Sequence, residues 1–293
     1  MERVEIFKTN VRDQQEADLV TNLLLINLAG SRINFDLTDR EKILRIENLN
    51  VPTEKITALL EGAGFFCKLI PDRVCDALEE SVQHMHDFWE SGFVNNQMMW
   101  GAAPTNSAKR ANHIFLQGGV RDVLIPGFGY GRNASVFLNS GMRITGIEIS
   151  ETAIKIAEQH FNAEVRIIHG SVTDMPFDEN LYEGIFCYGL LYLLNGEQRK
   201  KMVADCYNQL KPGGTMIFSV IAKKSHNYGK GREVAKDTFE IGKGGQLFFY
   251  DAAAVEGEFE AYGLRSYVEI AEPGSASSHV PAFTFFFVEC RKD

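Results

Sequence analysis

The residues best suited to chemistry lie in one glycine-rich segment and the strand that follows it. Val123-Leu124-Ile125-Pro126-Gly127-Phe128-Gly129-Tyr130-Gly131-Arg132-Asn133-Ala134 reads as a buried strand, a turn and the start of a helix. Glycine lets backbone approach a ligand closely, and a helix N-terminus offers free N–H groups. A pyrophosphate-binding fingerprint needs G-x-G-x-x-G, and position 132 is arginine. The spacing G-x-G-x-G favours an adenosyl ligand that carries a carboxylate, and it disfavours a nicotinamide dehydrogenase. Glu148 follows 21 residues after Gly127, at the end of the strand-like Ile144-Thr145-Gly146-Ile147. A carboxylate there can accept hydrogen bonds from both hydroxyls of a ribose. Each feature also has a plainer reading: a turn with no ligand, and an acid that favours the start of the next helix.

Three further segments follow in order. His169-Gly170-Ser171-Val172-Thr173-Asp174-Met175-Pro176-Phe177 closes a third strand, and Gly184-Ile185-Phe186-Cys187-Tyr188-Gly189-Leu190-Leu191-Tyr192 forms a fourth. Leu210-Lys211-Pro212-Gly213-Gly214 predicts a tight turn before the strand Thr215-Met216-Ile217-Phe218. A polar, glycine-rich insert from Ala222 to Phe248 would cap the acceptor side of such a site. His226 and Tyr228 within it are the best titratable candidates for a catalytic base. A base is needed only if the group attacked carries a proton at neutral pH. An idle, exposed histidine is the plainer alternative. The five cysteines, Cys67, Cys75, Cys187, Cys206 and Cys290, are irregularly spaced and form no C-x-x-C, so no metal site is expected. They read as small buried hydrophobes, and free thiols suit a reducing cytoplasm.

These residues need elements to position them. A chain of 293 residues allows one large domain or two ordinary ones. Its 39 acidic against 30 basic residues give a net charge of −9, without the Lys/Arg surplus that neutralises phosphates, so nucleic acid is not an expected partner. The longest apolar run, Ile185 to Leu194, covers ten positions and contains Gly189, too short for a membrane span. The charged start Met1-Glu2-Arg3-Val4-Glu5 predicts no signal peptide. Residues 1–72 predict the order βαββαβ, a ferredoxin-like unit. Its first helix opens on Asp13-Gln14-Gln15-Glu16 as a capping box and continues through Leu19, Val20, Leu23, Leu24 and Ile26. Asp39-Arg40 turns the chain between its middle strands, and Pro71 follows the last. Residues 73–118 predict a helical arm that holds both tryptophans, Trp89 and Trp100. Strands are expected at Asp122–Ile125, Arg143–Glu148, Glu164–Ile168, Gly184–Tyr188, Thr215–Ile221, Arg265–Ala271 and Ala282–Cys290, most of them separated by helices. That alternation predicts a mainly parallel sheet covered on both faces.

Read in order, the five segments resemble class I S-adenosylmethionine-dependent methyltransferases over about residues 120–290. The resemblance implies an α/β, doubly wound, mainly parallel seven-stranded Rossmann-like sheet over residues 119–293, with S-adenosyl-L-methionine as cofactor. It implies that Gly127, Phe128, Gly129 and Gly131 cradle the methionine part. Glu148 would bind the ribose hydroxyls and Ile149 would pack on the adenine. Ser171 would face the adenine amino group, where the family usually has aspartate, and the Val172 N–H would face a ring nitrogen. Cys187 and Tyr188 would close the site near the sulfonium. Ile125 stands where an acid often ends the first strand, so the cofactor amino group would be held by backbone or water.

Two finer resemblances concern the rest of the chain. Phe88-Trp89-Glu90 and Met98-Met99-Trp100-Gly101-Ala102-Ala103-Pro104 resemble the N-terminal arm of the thiopurine and tellurite-resistance methyltransferases, which implies that Trp100 lies against the cofactor. Core packing of a helical arm is the alternative for both tryptophans. Residues 1–72, with their ending Gly62-Ala63-Gly64-Phe65-Phe66-Cys67, resemble heavy-metal-associated domains. The loop that carries the metal cysteines in that family is Thr9-Asn10-Val11-Arg12-Asp13-Gln14 here, without a thiolate for a soft metal. The unit therefore reads as a degenerate relative used for contacts or as scaffold.

The resemblance also narrows the acceptor. No N-P-P-Y segment follows the fourth strand, no cysteine follows proline, and no acid lies between Gly184 and Asn195. These features argue against base, cytosine-C5, arginine and catechol-type methylation. The expectation is methyl transfer to a small-molecule acceptor, in line, with alignment supplying most of the acceleration. Methylation of a thiol or metalloid, and a non-catalytic sensor or adaptor that binds the cofactor, stay open, as does the oligomeric state.

Overall fold

The structure is a computed structural model that describes residues 3–28, 30–37, 39, 42–48, 52–70, 76–240, 245–272 and 282–293. The chain divides into two compact units, Met1–Gln83 and His84–Asp293.

The first unit contains β1 (Arg3–Thr9), α1 (Gln14–Asn27), β2 (Arg32–Asp36), β3 (Ile43–Asn48), α2 (Thr53–Gly62) and β4 (Cys67–Leu69). Its sheet runs β2-β3-β1-β4 with every neighbour antiparallel, the split βαβ topology predicted from the element order. Phe7, Val20, Leu24, Leu44, Ile46, Ile56 and Leu60 form its fully buried core. Asp13 caps α1 by accepting from the Glu16 N–H. Glu16 accepts from the Arg12 N–H instead of from Asp13, so only half of the expected capping box forms. Of the apolar positions along α1, Val20 and Leu24 are buried, whereas Leu19 and Ile26 point to solvent. Cys67 is buried on β4, and burial pushes its thiol up to about 11. Arg40, Pro71 and Cys75, singled out in the sequence, lie outside the described residues.

α3 (Asp76–Asn96) leads into the second unit, followed by α4 (Asn106–Gln117), β5 (Asp122–Pro126), α5 (Ala134–Leu138), β6 (Arg143–Glu148), α6 (Glu151–Phe161), β7 (Val165–His169), β8 (Tyr182–Tyr188), α7 (Gly196–Asn208) and β9 (Leu210–Ile221). Three short strands come next, β10 (Glu233–Ala235), β11 (Thr238–Glu240) and β12 (Gln246–Phe248). The chain ends with α8 (Ala252–Phe259), β13 (Leu264–Glu272) and β14 (Phe283–Arg291). The main sheet has the order β13-β14-β9-β8-β5-β6-β7. Pairs among β5 to β9 are parallel, and β14 pairs antiparallel with both β9 and β13.

The central strand β5 buries Val123, Leu124, Ile125 and Pro126 in succession, as a parallel strand covered on both faces must. Leu124 joins one apolar layer with Ile185, Met216 and Phe218. Val123 joins the other, with Phe186, Ile217 and Phe287. α4 contributes Ala108, Ala111 and Phe115 to that second layer. From β5 the chain winds outward through β6 and β7, then crosses back to begin the other half at β8. The switch point between β5 and β8 is where an open α/β sheet leaves a crevice beyond its strand ends.

The expected main-sheet strands are all present and most agree within two residues at each end, but Leu210–Gly214, expected as a tight turn before the strand, is instead the start of β9, with a register shift where it pairs with β8 between Tyr182 and Gly184. The sheet β10-β11-β12 was not anticipated. Its strands have three residues each and carry little periodicity. Lys223 holds this insert by pairing with Asp237 at 2.8 Å and with Asp251. Positions 241–244 of the insert lie outside the described residues.

Candidate active site

The turn after β5 is built on three residues with left-handed backbone, Gly127 (φ 70°), Gly129 (φ 58°) and Gly131 (φ 83°). Gly127 and Phe128 both donate their N–H to the Ile147 carbonyl at 3.0 Å, which ties the turn to β6. The three glycines have different surroundings. A Cβ on Gly131 would fall 2.3 Å from the Phe161 ring, and one on Gly127 would fall 2.8 Å from Leu190. A Cβ on Gly129 would meet only the Phe93 ring, at 3.9 Å, and otherwise enter open space. Phe128 fills the gap over Gly146, where a Cβ would sit 2.4 Å from its ring.

Glu148 ends β6 with only 6% of its surface exposed. Its carboxylate accepts from the Gly129 N–H at 2.7 Å and from the Ile149 and Ser150 N–H groups at 2.9 Å each. Burial pushes the carboxyl above its ordinary range, against the pull of these three donors. A carboxylate offers about four acceptor positions, so Glu148 keeps capacity for a further donor.

The arm meets this turn through aromatic contacts. Trp89, Phe93, Trp100 and Tyr130 form a cluster with ring centroids 5.9–6.3 Å apart, and Trp100 stacks on Tyr130. The Tyr130 hydroxyl donates to the Gly101 carbonyl at 2.7 Å, and Arg132 Nη1 donates to the Trp100 carbonyl at 2.7 Å. The Arg132 guanidinium also lies 6.0 Å from the Trp100 ring and 5.7 Å from the Tyr188 ring. Glu90, on α3, caps α6 by accepting from the Ser150 hydroxyl at 2.6 Å, the Thr152 N–H at 3.1 Å and the Thr152 hydroxyl. Burial raises the Glu90 carboxyl, but these donors outweigh it and hold the group below its ordinary value.

A cavity of about 330 Å³ opens between the glycine turn and the end of β8. Of the residues expected from the sequence, Gly127, Phe128, Gly129, Gly131, Tyr188 and Trp100 line it. Glu148, Ile149, Ser171, Val172 and Cys187 do not. Glu148 sits behind the turn, bonded to its middle glycine. Ser171 caps a short turn of its own and shares a hydrogen bond with the Thr173 hydroxyl at 2.7 Å. Cys187 is 1% exposed in the apolar layer on the face of the sheet opposite Tyr188, with its thiol pushed up to about 12 by burial. The described cysteines are all buried and free.

The insert contributes differently from the expectation. His226 packs on Phe283, 4.6 Å between ring centroids, and Tyr228 donates its hydroxyl to Asp237 at 2.8 Å. Neither lines the cavity, whereas Asn227 between them does, and its Oδ1 is buried without a hydrogen-bond partner. Tyr192, Leu247, Phe283 and Phe285 complete the far wall. Phe283 and Phe285 sit two apart on β14, a strand that reaches the site only through its antiparallel pairing with β9. No local pattern in the sequence marks them as site residues. Arg132 and Tyr192 stood inside the segments already singled out, next to residues expected to bind.

Residues 124–218 match the family described as Methyltransferase domain. A ubiquinone biosynthesis O-methyltransferase of Coxiella burnetii is 30% identical over 118 residues, covering 39% of this chain and 49% of that protein. The chain thus spans about half the length of the curated relatives it matches. Among solved structures, the Burkholderia thailandensis 1,6-didemethyltoxoflavin-N1-methyltransferase, with bound 1,6-didemethyltoxoflavin and S-adenosylhomocysteine, has a TM-score of 0.58 at 18% identity, over 73% of this chain and 89% of its own. The CcbJ methyltransferase from Streptomyces caelestis has a TM-score of 0.53 at 16% identity, over 69% of this chain and 96% of its own. With the strand order and the glycine turn, these likenesses establish that the seven-stranded unit has the class I methyltransferase fold.

Proposed function

We propose that this chain is an S-adenosylmethionine-dependent methyltransferase of a small-molecule acceptor, with the cofactor bound along the turn between β5 and α5. The observation that carries the reading is one pairing at the sheet's switch point. Gly129 faces open cavity, and its N–H is held by the buried carboxylate of Glu148. A backbone cradle beside an acid at the end of the next strand fits an adenosyl ligand. The names of the relatives, an O-methyltransferase and an N-methyltransferase of small molecules, support an acceptor of that size.

When bound, S-adenosylmethionine supplies a methyl group on a sulfonium, an electrophile that needs no metal. The chain's own residues then have two tasks, orientation and exclusion of water. Gly127, Phe128, Gly129 and Gly131 shape the floor, and Glu148 offers its remaining lone pairs to the ribose hydroxyls. Ile149, Ser171 and Val172 form the adenine side of the proposed site. Trp89 and Trp100 cover the turn from the arm, Trp100 stacking on Tyr130 of the turn itself. Cys187 supports the end of β8 from the opposite face of the sheet, and Tyr188 divides the turn from the acceptor end. Near-attack alignment of this kind accounts for the acceleration without a dedicated base.

The test has two readouts. S-adenosylhomocysteine should bind the full chain in calorimetry, and labelled methyl should pass from the cofactor to members of a panel of small phenols, amines and thiols. Binding with no turnover on any class would favour a cofactor sensor. No binding would overturn the reading.

A further inference from the structure

Beyond Tyr188 the cavity continues to an aromatic wall outside the glycine turn. Tyr188 stacks on Phe285, with ring centroids 5.5 Å and planes 17° apart, and Tyr192 meets Phe285 edge-on at 5.9 Å. Such walls favour a flat guest, because aromatic rings gain stacked and edge contacts that a puckered ring forfeits.

Besides Asn133 and the tyrosine hydroxyls, two polar side chains line the cavity, Arg132 at the end of the glycine turn and Asn227 on the insert. Arg132 is the one charged side chain among the described residues that line the cavity. Its neighbours, the Trp100 carbonyl, the Tyr188 hydroxyl and the Trp100 and Tyr188 rings, carry no formal charge to neutralise it. Asn227 Oδ1 is the second, buried and unpartnered. An acceptor atom left unpaired in this way costs about 1–3 kcal/mol, which a ligand donor would recover. No carboxylate or imidazole among the described residues lines the cavity. An acceptor atom that is already anionic therefore suits it better than a group that must first lose a tightly held proton.

We propose that the methyl acceptor is a small planar aromatic anion bearing an O–H or N–H: the ring lies against Tyr188 and Phe285, the anionic group meets Arg132, the donor meets Asn227 Oδ1, and the methyl passes to an oxygen of the anionic group, the S–CH₃ bond of the sulfonium breaking as the O–CH₃ bond forms, so that the two charges cancel and no proton has to leave. The proposal rests on the methyltransferase reading above and names the acceptor class for that same site.

The test uses the full chain saturated with S-adenosylhomocysteine and four probes in calorimetry. These are 4-hydroxybenzoate, its methyl ester, benzoate, and trans-4-hydroxycyclohexanecarboxylate. Fluorescence of Trp89 and Trp100, the two tryptophans of the chain and both in the cavity lining, reports binding at the site. 4-Hydroxybenzoate should bind about tenfold tighter than the ester and the cyclohexane analogue, and about fivefold tighter than benzoate, which is the scale of one hydrogen bond or ion pair. Arg132→Met should erase the preference over the ester, and Asn227→Leu the preference over benzoate. If the ester or the cyclohexane analogue binds as tightly as 4-hydroxybenzoate to wild-type protein, the proposal is overturned while the methyltransferase reading stands. If S-adenosylhomocysteine itself fails to bind, both fall.

Discussion

The glycines of the turn look interchangeable in sequence, but their neighbours give them separate duties. Gly131 is needed for packing, since any side chain collides with Phe161 and Phe128. Gly129 is needed for the ligand, because its missing Cβ leaves cavity rather than protein contact. Gly129→Ala should therefore weaken S-adenosylhomocysteine binding in calorimetry, at the cost of only the backbone strain of its φ of 58°, about 1–2 kcal/mol, while the protein keeps its circular dichroism spectrum. Gly131→Ala should instead unfold at clearly lower temperature. Glu148→Gln places an amide N–H₂ where backbone N–H groups now donate. It should weaken S-adenosylhomocysteine binding at least about tenfold, the scale of one lost bond to a charged group. The raised carboxyl also sets the pH dependence. Its ionisation opposes folding, so its contribution to stability is fullest below the ordinary value of 4.5 and declines as pH rises through the raised one. Ribose hydroxyls need the ionised acceptor, so binding should run the other way. Affinity should fall, and binding should release a proton, as pH is lowered through that raised value. Calorimetry in buffers of different ionisation enthalpy measures both.

At the scale of elements, the arm is joined to the sheet by a carboxylate as well as by aromatic rings. Glu90 on α3 supplies the cap that the start of α6 requires, and its negative charge suits a helix N-terminus. Glu90→Ala should lower the stability of this region by about 1.5–3 kcal/mol at pH 7, the range for hydrogen bonds to a charged group. Because the folded carboxyl lies below its ordinary value, that stabilisation is present above 4.5 and is lost as pH falls through the depressed value. Urea unfolding followed by fluorescence of Trp89 and Trp100 should thus separate mutant from wild type at neutral pH and bring them together in acid. A second element-scale lesson concerns α4. The sequence grouped it with the arm, yet Ala108, Ala111 and Phe115 place it in the sheet's own apolar layer. Glu272, at the end of β13, fastens its start by accepting from the Asn106 and Ser107 N–H groups.

For the whole molecule, every described residue of the cavity and of the Glu148 network belongs to the second compact unit. A fragment that begins at Asp76 and keeps all of α3 should fold on its own and bind S-adenosylhomocysteine within about threefold of the full chain, because a domain carries its own core. A fragment that unfolds cooperatively but does not bind would show that the first unit builds part of the site.

Local signals were enough for much of this architecture. The βαββαβ order, the alternation of strands and helices, the glycine turn and the acid at the end of β6 were all legible, because each depends on neighbours close in sequence. Buried parallel strands announce themselves as short apolar runs, and positive φ angles select glycine. The apolar runs could not tell which side of the switch point would hold the open space. That depended on β14 returning antiparallel beside β9, which brings Phe283 and Phe285 to Tyr188 and Tyr192. Nor could the sequence choose among His226, Asn227 and Tyr228, three adjacent polar residues in an irregular insert. The choice followed from Tyr228 finding Asp237 and His226 finding Phe283, which left Asn227 to line the cavity. Contacts between residues far apart in the chain decide such matters, and no periodicity records them.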